Sequence, residues 1–508
     1  MAQTSVSYIS TRWVQAHTRA MSSKRPSSSI AASASNEEAL HPSVLSQDIR
    51  CFIESCYGSA RQNIFSLHTT GGGATAISWL FSVPGASRSI LEASVPYARS
   101  ALGRVVNRSS SNDIDDCQIE NFCSRNTANK MASSALKSSV EMTLIESQDL
   151  RKLQDANIVG LGCTAAIASA APKKGEHRCF VSYAKANAVV LSAEIVMKKG
   201  FRTREEEDSL CSKMIMDTLQ ASISTDEKKS SFEFTNSILC EEEHISQSVT
   251  DRSNDLIDDI RENKSKMCLF VPKNLDTPAN EGDGIDNFIC YDDINLPSDS
   301  LIYPGSFNPL HAGHVELALA SIKSARRDDN NVPLIFEISA TNADKPSLEK
   351  SEIIRRLQQF CKYNGSILAN AGIENYGVCI TSEPLFRAKS TIFPHCKFIL
   401  GVDTLSRLIN TKYYGYSGNA MISSFQSMRE RGCSFIVGGR AMNRDTEQSF
   451  ESLDTVLKGI LNDDKSYDNN DVRATLVALL QSMSIAISES DFRVDLSSTE
   501  IRMKLGNP

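Results

Sequence analysis

One stretch of the 508-residue sequence, residues 301 to 322, constrains the fold more than any other. It opens with a short apolar run ending at Tyr303, passes through the turn Pro304–Ser306, and continues with the apolar spacing of a helix. A buried strand, a glycine turn and a helix N-terminus direct backbone N–H groups and the positive end of a helix dipole to one place. The stretch therefore predicts an anion site, with His311 and His314 on one face of the first helical turn.

Strands and helices alternate through the rest of the chain after this stretch. The predicted elements are strands at Leu334–Ile338, Val378–Thr381, Lys397–Asp403 and Ser434–Arg440, and a helix at Glu349–Phe360. Such alternation predicts a Rossmann-like parallel sheet with helices on both faces. Ligands in such sheets lie beyond the carboxyl ends of the strands. The segments expected there are Gly305–His314, Asn342–Lys345, Gly401–Asp403 and Gly438–Arg440.

The pattern G-S-F-N-P-x-H-x-G-H, from Gly305 to His314, resembles the signature of the nucleotidylyltransferase superfamily. A second segment, Asp495 to Arg502, is similar to the superfamily's I-S-S-T-x-I-R motif, which holds a nucleotide triphosphate. The resemblance implies His311, His314 and Arg502 as catalytic residues. The nucleotide-binding residues that it implies are Gly305, Ser306, Phe307, Asn308, Gly401, Asp403, Ser497, Ser498 and Thr499.

Gly401–Thr404 resembles the G-x-D-x element with which mononucleotide adenylyltransferases contact adenosine. A strand followed by a helix cap at Asp403 or Thr404 is the plain alternative. Those enzymes usually carry a tryptophan soon afterwards, whereas residues 408–414 of this sequence contain none. Stacking of a base on Tyr413 or Tyr414 therefore stays open.

Asn342 and Lys345 lie in a polar turn after a predicted strand. Lys345 is expected to meet the phosphate of the acceptor, with an ordinary surface lysine as the alternative.

The resemblance implies a reaction in which an acceptor phosphate attacks the α-phosphorus of ATP and pyrophosphate leaves. Mg²⁺ is expected to enter with ATP rather than to occupy a protein metal site. Nicotinamide mononucleotide, giving NAD, is the expected acceptor. The alternatives are a pantetheine-phosphate adenylyltransferase, a cytidylyltransferase, or a nucleotide-binding regulator without turnover.

Residues 45–220 predict a second α/β domain. Its Thr70–Gly72 and Val83–Ser87 segments resemble elements of the CinA-family C-terminal domain, the nicotinamide-nucleotide amidases. His68 stands where that family has its nucleophilic serine, and Leu102 stands where it has a lysine. An amide hydrolase needs a nucleophile and a base within reach of each other. The resemblance therefore implies the fold without amidase activity.

The remaining segments and the composition set the outer limits. Residues 1–44 are expected to be a disordered leader or a transit peptide, for a cytoplasmic or mitochondrial protein. Residues 221–299 are expected to be an acidic linker or insertion, and residues 300–508 the nucleotidylyltransferase domain. A net charge of −7 favours neither nucleic acid nor an anionic membrane as partner. The 14 cysteines lack metal-ligand spacing and predict reduced thiols. The oligomeric state stays open.

Overall fold

The computed structural model describes residues 44–107, 119, 121–172, 174–224, 232–275, 284–325, 332–341, 346–363, 365–444, 447–462 and 470–493. All of them lie in one compact unit within residues 42–508. Their strands form two large sheets flanked by helices, which confirms the predicted α/β class. Among these residues, no helix combines the length and the apolar character needed to cross a membrane.

The first sheet has the strand order β2-β1-β3-β4-β5-β6 among the described residues. Its strands are β1 (Asn63–Thr70), β2 (Ile90–Ser94), β3 (Asn157–Ala166), β4 (His177–Lys185), β5 (Val189–Met197) and β6 (Ile245–Asp251). Strands β2, β1 and β3 are parallel, and the others are antiparallel. The helices around it are α1 (Gln47–Gly58), α2 (Thr75–Ser82), α3 (Arg99–Val106), α4 (Arg125–Ser147), α5 (Lys152–Asp155), α6 (Arg204–Ile223) and α7 (Glu233–Asn236).

Helix α4 packs against β3 at unusually short range because two glycines of that strand face it. A Cβ atom on Gly160 would lie 2.0 Å from the backbone nitrogen of Leu136, and one on Gly162 would lie 2.4 Å from the carbonyl oxygen of Ala128. No side chain fits such spaces. The small residues of β3 thus set how closely the helix approaches the sheet.

The second sheet has the strand order β18-β15-β14-β10-β11-β13-β7-β9. Its strands are β7 (Met267–Pro272), β9 (Phe288–Asp292), β10 (Leu301–Pro304), β11 (Leu334–Ser339), β13 (Tyr376–Thr381), β14 (Lys397–Gly401), β15 (Ser434–Gly438) and β18 (Ser484–Ala486). Strands β18 to β13 are parallel, while β7 and β9 are added antiparallel at one edge. Two small pairs complete the strands: β8 (Asn274–Leu275) with β12 (Lys362–Tyr363), and β16 (Arg440–Arg444) with β17 (Glu447–Glu451).

Helices cover both faces of the second sheet. They are α8 (Leu256–Arg261), α9 (Ala312–Ala325), α10 (Lys350–Gln358), α11 (Ile367–Asn370), α12 (Phe386–Ile392), α13 (Val402–Leu408), α14 (Gly418–Glu430), α15 (Leu453–Asn462) and α16 (Asn470–Met483). Short 3₁₀ turns lie at Ala86–Arg88, Ser253–Asp255 and Thr411–Tyr414.

Consecutive strand residues of the second sheet alternate between two apolar cores, one on each face. Ile302 lies in the core that includes α14, whereas Leu301 and Tyr303 lie in the core that includes α9.

The direction of strand order reverses between β10 and β14. In chain order the parallel strands run β10, β11 and β13 to one side, and β14, β15 and β18 to the other. In open α/β sheets this reversal opens a crevice at the carboxyl ends, where ligands bind. Gly305 follows β10 and Val402 follows β14, so two of the predicted segments meet at this crevice.

Residues 221–299, expected to be an acidic linker or insertion, contribute strands to both sheets. Strand β6 completes the first sheet, and β7 and β9 extend the second. Both acidic residues of α8 form ion pairs: the partly exposed Asp258 pairs with Lys350, and the buried Asp259 pairs with Arg252. A run of surface carboxylates looks the same in sequence whether it coats a helix or solvates a linker.

One of the apolar cores contains residues from both sheets and their helices. Val140, Leu144, Leu150 and Leu153 of the first part cluster with Leu269 and other residues of the second. Polar groups add to this junction: the Asn375 side chain accepts from the Leu150 N–H at 2.8 Å and donates to the Gln148 carbonyl at 2.9 Å.

Candidate functional site

The two histidines of the first motif lie face to face at the start of α9. Their ring centroids are 3.7 Å apart, with 30° between the ring planes. The N–H groups of His314 and Val315 donate to the carbonyl of His311 at 2.9 and 3.3 Å, which forms the first turn. The shared helical face predicted from the spacing is therefore present.

Both imidazoles favour the neutral form. Burial, and to a smaller extent the neighbouring His311, lower the pKa of His314 to about 3. Burial also lowers the pKa of His311. The backbone N–H of His311 donates to Nδ1 of His314 at 3.3 Å, so the proton of neutral His314 resides on Nε2. His314 is thus arranged as a neutral hydrogen-bond donor.

The loop between β10 and α9 is built around Phe307. This residue has a left-handed φ of 42°, which costs a non-glycine residue about 1–3 kcal/mol. Its ring is fully buried and packs edge-on against Tyr303, Phe336 and Phe360 at centroid distances of 5.4–5.5 Å. Gly305 lies beneath the ring, where a Cβ atom would come within 2.6 Å of it. The turn predicted at Gly305 therefore depends on the aromatic residue that follows.

Side chains at the end of α10 hold this loop. Arg355 donates to Oδ1 of Asn308 at 2.6 Å, and Arg356 donates to the carbonyl of Ser306 at 3.1 Å. Gln359 donates to the carbonyl of Phe307 at 2.9 Å and accepts from the N–H of Leu310 at 2.7 Å. Glu352 fixes both arginines, and they lower the pKa of its carboxyl to about 2. None of these four side chains is marked by a sequence motif.

A cavity of about 620 Å³ opens at the carboxyl edge of the second sheet. Pro304, Gly305 and Ser306 form one wall, directly before the two histidines, whose imidazoles lie outside the cavity lining. The apolar and aromatic side chains of the lining include Leu385, Phe386, Leu408, Tyr413 and Tyr414. Its charged side chains are Glu337, Arg356, Arg387, Lys389 and Arg407. The lining thus combines flat apolar surfaces with a surplus of positive charge.

The one carboxylate of that lining is already neutralised. Glu337 is fully buried and accepts from Lys389 Nζ and from Thr381 Oγ1, each at 2.5 Å. Among the described residues, no carboxylate forms an ion pair with Arg387 or Arg407. These two guanidinium groups are the cations of the cavity that remain for an anionic ligand.

The second predicted segment of the crevice also carries charge. Gly401 is the N-terminal cap residue of α13, so Asp403 lies inside the first turn and not at the cap position. The helix cap considered for Asp403 or Thr404 is therefore wrong. Asp403 instead accepts from Arg440 at 2.6 Å, which joins the segments after β14 and β15. Thr404 lines the cavity.

Several predicted site residues lie outside the described part of the chain: Asn342, Lys345, Ser497, Ser498, Thr499 and Arg502. The description ends at Arg493. Just before this point Phe492 lies beside Leu317 of α9, since a Cβ atom on Gly438 would touch both side chains. Lys323 of α9 also pairs with Asp491 at 2.6 Å. The described chain thus approaches the second motif alongside the helix that carries the first.

Residues 302–504 match the protein family described as cytidylyltransferase-like. The segment is similar to that family. This match supports nucleotidyl transfer in general and includes both motifs recognised in the sequence.

Other comparisons add little to the cytidylyltransferase-like assignment. The crystal structure of the competence/damage inducible protein CihA from Agrobacterium tumefaciens is similar at 19% sequence identity and a TM-score of 0.28. That similarity covers 36% of this chain and 99% of that chain. A search of curated proteins found no match.

In the first sheet, the backbone N–H groups of the loop after β1 are already hydrogen-bonded to a side chain. The N–H groups of Gly73, Ala74 and Thr75 all donate to the carboxylate of Asp208, at 2.8–3.3 Å. His68 lies 2.7 Å from Ser94 Oγ through its Nδ1. Across the described residues, no group of three or more His, Cys, Asp or Glu side chains is placed to hold a metal ion.

Proposed function

We propose that the cytidylyltransferase-like domain joins the phosphate of a mononucleotide acceptor to the α-phosphate of ATP. The observation that carries the proposal is the stacked, neutral histidine pair at the reversal of strand order, 3.7 Å between ring centroids. It begins a helix, where anions are favoured, and it lies beside a cavity whose Arg387 and Arg407 form no ion pair with any residue that the structure describes. The best candidate acceptor is nicotinamide mononucleotide, which would give NAD.

The reaction forms one bond and breaks one. An oxygen of the acceptor phosphate bonds to the α-phosphorus, the bond from that phosphorus to the bridging oxygen breaks, and pyrophosphate leaves. The acceptor oxygen is already anionic, so no general base is needed. Catalysis then consists of positioning and of donors aimed at the oxygens that gain charge. His314 supplies such a donor through Nε2–H, and His311 lies against it.

The triphosphate would be held by the loop Gly305–Asn308 and by Ser497, Ser498, Thr499 and Arg502. Gly401 and Asp403 would contact the nucleoside, and Mg²⁺ would enter on the phosphate oxygens of ATP, where it stabilises negative charge. Asn342 and Lys345 are proposed for the acceptor phosphate on sequence grounds.

The cavity favours a mononucleotide over pantetheine phosphate. Tyr413, Tyr414 and Phe386 offer aromatic surfaces for a flat base, and Arg387 and Arg407 offer charge for a phosphate. The cavity volume of about 620 Å³ lies within the range that is usual for small-ligand sites, about 300–1,000 Å³.

The proposal is tested by measuring pyrophosphate release from ATP, and separately from CTP, with each candidate acceptor. Release with ATP and nicotinamide mononucleotide supports it. Release only with CTP, as the family description allows, or only with pantetheine phosphate reassigns the substrates. Nucleotide binding without release in any combination would favour a regulator without turnover.

The acceptor assignment has its own variant. Arg387→Met removes a cation from the cavity, and a charge-assisted hydrogen bond is worth about 1.5–3 kcal/mol. The KM for the acceptor should rise about tenfold or more while the KM for ATP stays constant. Arg429→Met, which removes an exposed arginine outside the cavity lining, is the control. Equal KM values for the acceptor in the two variants would show that Arg387 does not bind the acceptor phosphate.

A further inference from the structure

Gln359 is the residue at the end of α10 that contacts the motif loop from both sides. Its amide nitrogen donates to the Phe307 carbonyl at 2.9 Å, and its amide oxygen accepts from the Leu310 N–H at 2.7 Å. One planar side chain thus bridges the loop across the residues Asn308 and Pro309. No other side chain of the described residues makes both of these contacts.

Arg356 contacts the preceding peptide group. It donates to the Ser306 carbonyl at 3.1 Å, and its own position is fixed by Glu352 at 2.8 Å. In a trans peptide the carbonyl and the following N–H point in opposite directions. The N–H of Phe307 therefore points away from Arg356, and the N–H of Asn308 points away from Gln359.

We infer that Gln359, assisted by Arg356, is a positioning residue for nucleotidyl transfer, an inference that rests on the function proposed above. By holding two consecutive carbonyls, the end of α10 turns two consecutive backbone donors to the opposite side of the loop. It also holds Phe307 in its left-handed conformation at φ 42°. The same contact to Leu310 fixes the chain one residue before His311. Donors that are fixed before the reaction need no reorganisation when charge develops.

The neighbouring Gln358 provides a matched control. It is the same residue type, is half-buried like Gln359, and ends the same helix. Its side chain accepts from Asn287 at 3.3 Å and donates to the Gly284 carbonyl at 2.5 Å. These hydrogen bonds tie α10 to a segment away from the motif. Loss of hydrogen bonding at the helix end is therefore common to both positions, whereas loss of the loop contacts is specific to Gln359.

The test compares Gln359→Met with Gln358→Met in the full chain. Methionine has a similar length and no hydrogen-bonding amide. We expect kcat for pyrophosphate release at saturating ATP and acceptor to fall about 10- to 100-fold for Gln359→Met and to stay within about twofold for Gln358→Met, with similar losses in Tm. Equal kcat values for the two variants would overturn the inference, because a purely structural role would lower Tm alone.

Gln359→Glu decides the matter if Gln359→Met fails to fold. Glutamate keeps the acceptor for Leu310 and loses the donor to Phe307, so kcat should fall below that of the wild type. A wild-type kcat in Gln359→Glu would overturn the inference. If the wild-type protein releases no pyrophosphate with any acceptor, the proposed function has failed by itself. The Kd for ATP then serves: equal ATP affinities in Gln359→Met and Gln358→Met would count against the positioning role.

Discussion

His314 is the residue on which the transfer chemistry depends most directly. Its Nδ1 is occupied by the His311 N–H, which leaves Nε2–H as a fixed donor. Loss of one preformed donor usually lowers turnover by about 10²–10³-fold. We expect that loss in kcat for His314→Ala, measured as steady-state pyrophosphate release. His244→Ala, which changes an exposed histidine outside the motif, should keep wild-type kcat; an unchanged kcat in both would remove His314 from the mechanism.

The protonation state of His314 makes a separate prediction. Because burial lowers its pKa from 6.5 to about 3, the ring should stay neutral throughout the range from about pH 5 to 8. Its ring proton resonances in NMR should therefore not shift with pH in that range. In the unfolded chain His314 binds a proton near pH 6.5, whereas in the folded chain it stays neutral down to about pH 3. The contribution of His314 to the free energy of unfolding is therefore fully present above pH 6.5 and is lost as the pH falls towards 3. A titration of His314 near pH 6.5 would contradict its burial as a neutral donor.

Sequence reasoning reached the histidine pair but missed the residues that hold it. Two histidines three positions apart on a helix start are neighbours, and this local rule predicted the face that they share. Gln359 lies 49 residues from the N–H of Leu310 that it accepts from. No local periodicity marks such a contact, because it arises only when β10 and β11 pair and bring α10 over the loop.

At the scale of elements, the Glu337–Lys389 pair joins β11 to α12 beneath the cavity. Both side chains are buried, and the Nζ–Oε2 distance is 2.5 Å. Removing one member of a buried ion pair leaves the other charge without a partner, at a cost of about 3–5 kcal/mol. We expect that loss for Glu337→Leu in urea unfolding, with part of it restored in the Glu337→Leu, Lys389→Met double variant. Lys323→Met, which breaks an exposed pair with Asp491, should cost about 1 kcal/mol or less. Equal losses in the two single variants would contradict this account.

Elements were easier to predict than their partners. The apolar run Leu334–Ile338 indicated a strand, and β11 spans Leu334–Ser339. Strand β7 is buried along its whole length, but its pairing with β13, more than a hundred residues later, depends on the assembled parallel sheet. The sequence of an antiparallel edge strand does not indicate which strand it will pair with.

At the scale of the whole molecule, the two sheets should unfold together. Val140, Leu144, Leu150 and Leu153 are buried in the same core as the second sheet, and each such side chain contributes about 1.5–3 kcal/mol by its burial. Together they approach the total stability of an ordinary domain, about 5–15 kcal/mol. A fragment of residues 253–508 keeps every described strand and helix of the second sheet but exposes the apolar surface that these four side chains cover. We expect calorimetry of the full chain to show one transition and the fragment to be aggregated or lower in Tm. Two separate transitions, or a soluble fragment with the Tm of the full chain, would show that the first sheet is dispensable for the second. The role of the first part would then lie in its own ligand rather than in support of the transferase site.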